Sequence, residues 1–369
     1  MRKLERAALA ILGAALWVGS ASGEEGNAAW QKIVAAAEQE GTVVINSQPN
    51  QVWRDYILRE FPKAYPKITV NLSVLPTEQF VARVRTERQV GKYLWDLGAS
   101  GATSAFLLEQ DNALDPFLPE LVLPEVNDAA VWGGWDQALV DAQRKYVFAM
   151  SAYLQPGYYN AKLVPPALVE RLGLKAMLEP QFVGKAAWHD PSLAGGGQAI
   201  GPLIRAALGD DGLRKLIVDQ KVVFYPQQQS VVEAMARGTA LFGLGPPVRS
   251  LIAPYVEAGA VGKSDIRSFG NSPAVAYESI GGNCLYMINR RPHPNAARVF
   301  VNWMLTKQVQ YEIAKALDMA SRRHDIPSAT DPDEMPMAGA NYITPQREDS
   351  FPELIAVGAL VEQLRKSAQ

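Results

Sequence analysis

The chain has 369 residues, 20% of them charged, with a formal net charge of −2 and a single cysteine. That balance supplies no basic field to hold nucleic acid or an anionic membrane, and one cysteine excludes an intramolecular disulfide. A buried core must therefore hold the fold, and the length suggests two domains rather than one.

The N-terminus reads as an export signal. Arg2, Lys3 and Arg6 precede an apolar run over residues 7–18, and Ser20, Ala21, Ser22 and Gly23 follow it. About a dozen apolar residues fall short of the ~18–20 that span a bilayer, and Ala21-Ser22-Gly23 has the small-x-small form cut by signal peptidase. Residues 1–23 are expected to be removed. Cys284 is far from that point, so no lipid anchor is expected, and no later apolar run is long enough to insert in a membrane. The mature chain is expected free in the periplasm.

Residues 28–40 then place Trp30, Ile33, Val34 and Ala37 at helical spacing, and Gly41 is the glycine that commonly follows a helix. Residues 42–46 read as a buried strand, 52–65 as an amphipathic helix stopped by Pro66, and 68–74 as a second strand. A helix over 79–90 and a strand over 94–98 continue the alternation, which predicts a mostly parallel sheet flanked by helices. Residues 113–135 carry little periodicity, and the apolar run 146–150 leads to Ser151, Ala152 and Tyr153. A second, smaller α/β series follows. It has strands at 185–188, 222–225 and 240–244, and helices at 201–208, 211–218 and 228–237. In the tail, 284–288 is a strand, Pro294 and Asn295 open a helix reaching about 305, and 308–317 is helical again.

Four phrases carry a family resemblance. Trp30 leads a helix that ends in Glu40-Gly41-Thr42-Val43. Phe61, Tyr65, Pro66, Ile68 and Val70 fit an F-x-x-x-Y-P-x-I-x-V pattern. Tyr158-Tyr159-Asn160-Ala161-Lys162-Leu163-Val164 is the third, and Arg291-Pro292-His293-Pro294-Asn295-Ala296-Ala297-Arg298-Val299-Phe300, with Trp303 and Leu305 behind it, is the fourth. Their order resembles the ferric-ion, thiamine and polyamine-type group of periplasmic solute-binding proteins that serve ABC importers. The resemblance implies a two-lobed, type II-like α/β fold with a ligand cleft between lobes. Lobe 1 is expected from residues 24–150 and 281–369, and lobe 2 from the inserted 151–280, with crossings near 149–153 and 276–282.

Open parallel sheets bind ligands beyond the carboxyl ends of their strands. In the first series that rule selects Ser47 and Gln48, then Ser100, Gly101 and Thr103, whose backbone N–H groups suit an anion. In the second it selects His189 and Asp190, Tyr225 and Gln227, and Arg249; the crossings add Tyr153, Glu278 and Asn283. Each has a plainer role. Ser47 and Ser100 suit helix caps, glycines 195–197 suit a turn, His189 and Asp190 a structural pair, and Arg249 a solvated helix position. Arg322 and Arg323 either reach the cleft or pair with Asp325.

In ferric-binding members of the group, adjacent tyrosines follow the strand that corresponds to 240–244. Here Gly245-Pro246-Pro247-Val248 stands there, and Tyr158-Tyr159 lies in a different phrase where packing is expected. The three histidines are far apart and lack any Cys–His spacing, so neither a metal nor a cofactor is expected. The expected function is a monomeric, non-enzymatic binding protein. It would capture a small polar, anionic organic solute by lobe closure and deliver it to an inner-membrane ABC permease. Three alternatives stay open: a carrier of ferric ion or another cation, a periplasmic enzyme using His189 and Asp190, and a sensory protein feeding a membrane receptor.

Overall fold

Two separate sheets, each covered by apolar side chains on both faces, organise the chain. The computed structural model describes residues 18–368, apart from 153, 194, 246–247, 263, 273–274, 281–282, 318 and 328–339, and the side chains of 18–27 and 248–250. The expected signal segment thus lies largely outside the described residues.

The first strands are β1 (Thr42–Ser47), β2 (Thr69–Ser73), β3 (Leu97–Ser100), β4 (Leu114–Asp115) and β5 (Phe148–Ala149), followed at once by β6 (Ser151–Ala152). Next come β7 (Tyr158–Asn160), β8 (Ala186–His189), β9 (Val223–Tyr225), β10 (Phe242–Leu244) and β11 (Ile266–Ser268). The last are β12 (Ala276–Tyr277), β13 (Cys284–Ile288), β14 (Ala320–Ser321) and β15 (Tyr342–Ile343). One sheet has the order β2-β1-β3-β13-β4, with β5 also on β13, and the other the order β11-β7-β10-β8-β9.

The strand–helix alternation appears as two parallel ladders, β2-β1-β3 and β10-β8-β9. Each is extended by antiparallel strands. In the first sheet β13 returns against β3, β4 and β5; in the second, β7 runs against β10 and β11. β7 and β11 have three residues each, too few to show a period in sequence.

Burial on both faces explains why 284–288 reads as one apolar run. Leu285 and Met287 pack with Ile45 and Leu97, while Cys284, Tyr286 and Ile288 face Phe80, Trp95 and Phe106. In the second sheet Trp188, Phe242 and Leu244 line one core, and Tyr158 and Ala187 turn to Val231 and Met235. At ~1.5–3 kcal/mol per fully buried large apolar side chain, both cores are substantial without a crosslink.

Two of the sequence phrases meet in space. The first helix, Val18–Glu40, starts earlier than expected and stops at Gly41, whose φ of 70° costs glycine little. The Glu40 carboxylate accepts the N–H groups of Asn295 (3.2 Å) and Ala296 (2.7 Å), so it caps the Pro294–Met304 helix with negative charge.

The chain leaves the first sheet after β5, enters the second at β7, and returns between β11 and β13. Two short ladders run beside these passages, β6 antiparallel to β14 and β12 parallel to β15. A third passage follows β15. The final helix, Phe351–Ser367, buries Val357 and Val361 in the second core, although everything after 281 was expected with the first lobe. Its apolar stripe finds a matching surface there. Gly201 lets Val357 approach so closely that an added Cβ would lie 3.0 Å from its Cγ1, and Arg205–Glu353 and Asp190–Arg365 ion pairs flank the contact.

Candidate functional site

β1 and β3 run parallel and end side by side, at Ser47 and Ser100. Ser47 is buried and donates to the Gln48 carbonyl (2.9 Å). Gln48 is held by its own N–H on the Ala99 carbonyl (2.9 Å), and its Nε2 donates to Asn283 Oδ1 (3.3 Å). Asn283 is fixed in turn, since its N–H and Nδ2 both donate to the Ile280 carbonyl and its carbonyl accepts from Met150 N–H. These three predicted residues therefore converge where the chain leaves the first sheet.

Ser100 does something else. Its hydroxyl lies 3.0 Å from Tyr286 Oη and 3.4 Å from Ser104 Oγ, while Tyr286 Oη lies 3.1 Å from Ser104 Oγ. Burial pushes the Tyr286 phenol up to about 12, against the opposing effect of the two serines. Ser100 thus braces the strand end. Gly101 sits in open space before the Ala102–Gln110 helix, which has no side-chain cap, and Thr103 is exposed on its first turn.

At the second sheet the His189 ring is engaged on both sides. Nδ1 accepts from Gly197 N–H (3.1 Å), and the ring also bonds the Pro226 carbonyl. Burial lowers its pKa, which favours the neutral ring. Gly196 and Gly197 pack directly on the strand ends. A Cβ there would lie 1.7 Å from the Gly245 carbonyl oxygen and 1.8 Å from that of His189. The glycine run is a close backbone approach as well as a turn.

Asp190 accepts from Ser192 N–H (3.0 Å), Ser192 Oγ (2.7 Å) and Arg365 (2.9 Å). Burial raises its pKa, but those bonds outweigh it and hold the carboxyl below its usual range. It anchors the last helix. Tyr225 is half-buried opposite His189, and Gln227 is exposed at the start of the Gln228–Ala236 helix. Tyr153 and the Arg249 side chain lie outside the described residues.

The passages between the sheets hold the remaining chemistry. Glu278 is buried; its Oε2 accepts from Thr344 Oγ1 (2.9 Å), and its Oε1 lies 2.5 Å from Arg322 Nη2. That contact brings the charges together without hydrogen-bond alignment, because Arg322 Nε and Nη2 are buried and have no hydrogen-bond partner. Arg322 is only 8% exposed, and its backbone N–H is fixed on the Met150 carbonyl (3.1 Å). Gln346 Nε2 donates to Ser279 Oγ (2.9 Å), which leaves a buried Oε1 without a donor, and the Ser151 hydroxyl is likewise unpaired.

Of nine such orphaned buried polar atoms among the described residues, four lie on these passages or on the β14 end beside them. Each costs ~1–3 kcal/mol when left unmade, so their concentration marks a place where an outside polar group would be stabilised. Arg323, by contrast, is satisfied. It pairs with Asp325 through two nitrogens at 2.9 Å, donates to the Leu305 carbonyl and covers the Trp132 ring. Ser151 and Gln346 carried no sequence signal, since one sits in an apolar run and the other follows Pro345 in an unpatterned stretch.

Among the described residues no group of three or more His, Cys, Asp or Glu side chains could hold a metal ion, and no helix is long and apolar enough to cross a membrane. Tyr158 and Tyr159 point to the two opposite cores of the second sheet.

No curated protein matches the sequence. The profile described as bacterial extracellular solute-binding protein matches residues 56–340. The chain is similar in structure to Trichodesmium IdiA (FutA) in complex with iron and citrate, at 14% identity and a TM-score of 0.64, over 88% of this chain and 99% of that one. It is similar to iron-bound HitA from Pseudomonas aeruginosa at 16% identity and a TM-score of 0.58, over 87% and 99%. Mannheimia haemolytica ferric iron-binding protein A, in an open conformation, matches at 13% and 0.62, over 88% and 98%. At these identities the likeness shows the fold: two α/β lobes, each a sheet flanked by helices, on either side of a cleft.

Proposed function

The chain belongs to the bacterial extracellular solute-binding proteins, the binding components of ABC importers, and on that premise we propose that it captures a small polar, anionic organic solute between its lobes for an inner-membrane permease. The observation that carries the ligand class is Arg322, a buried guanidinium with two undonated nitrogens on the passages between the sheets. A carboxylate accepts a guanidinium's paired N–H groups well. The passages act as the hinge, with the first sheet and its helices as one lobe and the second sheet plus the last helix as the other. Closure is favoured only by a solute that touches both lobes.

The reading includes cleavage near Gly23 and an untethered monomer in the periplasm. The family is a transport family rather than an enzyme class, and the engagement of His189 and Asp190 in structural bonds agrees with that.

The test is a thermal-shift panel on the exported protein with carboxylates, phosphonates, inorganic phosphate, polyamines, thiamine and ferric ion with and without citrate. A ligand at a hundred times its Kd stabilises by about 2.7 kcal/mol. Carboxylates should raise the melting temperature, and Arg322→Gln should abolish the rise. The cation reading draws support from the iron bound by Trichodesmium FutA and by HitA. A response to ferric ion or polyamines alone would decide for it.

A further inference from the structure

We propose that the solute carries a hydrogen-bond-donating hydroxyl or ammonium group beside its carboxylate, and that Glu278 and Gln346 select for it. The inference rests on the anionic-solute reading and deepens it. Arg322 offers donors only, and donors alone would suit any small anion. Its surroundings do not. Glu278 is a carboxylate, an acceptor in every orientation; its Oε1 lies 2.5 Å from the same guanidinium, and among the described residues Thr344 is its one side-chain hydrogen-bond donor, at Oε2. Gln346 adds a second buried acceptor, Oε1, directed away from the bond its Nε2 makes to Ser279.

A sulfate or a bare carboxylate brings nothing but acceptors. It would satisfy Arg322 and leave Gln346 Oε1 unpaired and Glu278 facing like charge. Glu278 also offsets the charge of Arg322, so the pair by itself has no surplus to hold a dianion. A 2-hydroxy- or 2-amino-carboxylate meets both demands at once. Its carboxylate accepts from the Arg322 Nε and Nη2 protons, which no aligned hydrogen bond engages, and its hydroxyl or ammonium donates to Glu278 or Gln346. The two acceptors come from neighbouring contacts between the same two passages: Thr344 donates to Glu278, and Gln346 donates to Ser279, the residue after Glu278.

Isothermal titration of the exported protein with matched pairs reads this directly: malate against succinate, lactate against propionate, alanine against propionate, and sulfate as the plain anion. In at least one pair the hydroxylated or aminated member should bind ten times more tightly or better, and sulfate should bind more weakly than either. Gln346→Met should shrink that preference severalfold while the deoxy member keeps its affinity, with a melting temperature showing that the variant is folded. Equal affinity within every pair, with binding still lost in Arg322→Gln, overturns the selectivity and leaves the anionic-solute reading standing. Binding of ferric ion or polyamines with none of any carboxylate overturns both. The preference in the unsubstituted protein decides the matter even where a variant fails to fold.

Discussion

Replacing Gly98 by alanine tests how the first lobe presents its strand ends. Gly98 lies directly opposite Tyr286 across the β3–β13 ladder, and an added Cβ would lie 2.0 Å from Tyr286 Cζ and 2.3 Å from both Cε2 and Oη. Relief requires a movement of more than about 1 Å, and the ring is fully buried. Overpacking of this kind costs ~1–3 kcal/mol. Displacing the phenol also breaks its bonds to Ser100 and Ser104, at ~1 kcal/mol each. The total is about 3–5 kcal/mol, or roughly 10 °C in melting temperature. Calorimetric melts of Gly98→Ala, Tyr286→Ala and the double variant separate the causes. The double variant should be more stable than the sum of the singles by about 1–3 kcal/mol, because the new methyl then fills vacated space. A Gly98→Ala protein melting within 1 °C of the parent, or strictly additive variants, would refute the argument.

Asn302 is fully buried. It accepts from the N–H groups of Val122 and Leu123 and donates to the Glu120 and Arg298 carbonyls. Asn302→Ala strands all four partners and should cost about 3–4 kcal/mol in urea unfolding, so a loss below 1 kcal/mol would contradict this account. Glu109 is pushed up to about 7, first by burial and then by Asp141 and Glu348. A raised carboxyl pKa means the native state binds more protons than the unfolded one. Stability should therefore fall as pH rises from about 4.5 to about 7, by ~1 kcal/mol after solvent screening. Glu109→Gln should flatten that slope, and an unaltered slope would rule the group out. Val361→Ala should cost ~2 kcal/mol and speed hydrogen exchange in the Gly201–Arg214 helix, with no change in β1 to β3. Faster exchange in the first sheet instead would contradict the docking of the last helix.

The parallel ladders were readable because their strands alternate with helices whose apolar positions repeat every three or four residues. The antiparallel additions were not. β7 and β11 depend on pairing partners more than eighty residues away in the chain, Arg267 meeting Tyr159 for example. The last helix carries Leu354, Val357 and Val361 at helical spacing, yet nothing in that spacing says which core receives it. At the candidate site, Gln48, selected by the strand-end rule, bonds Asn283, selected at a crossing, and Ser47 bonds the Gln48 carbonyl. His189 and Asp190 satisfy the same rule and are consumed by local bonds. Arg322 stood out only as one of two adjacent arginines. What separates it from Arg323 is the lack of an aligned partner, a property of three-dimensional surroundings that residue type and spacing do not encode.

Because the last helix packs in the second core, a fluorophore near the C-terminus would report on the proposed lobe closure. Lys366 has a 73% exposed side chain, and Thr103 is exposed on the first lobe. Cysteines introduced at those two positions would carry an energy-transfer pair, one dye on a helix of the first core and one on the helix packed in the second. The native Cys284 is buried and its thiol is pushed up to about 12 by that burial, so maleimide dyes should pass it by. The chain is thus ready for single-molecule distance measurements without first removing a cysteine.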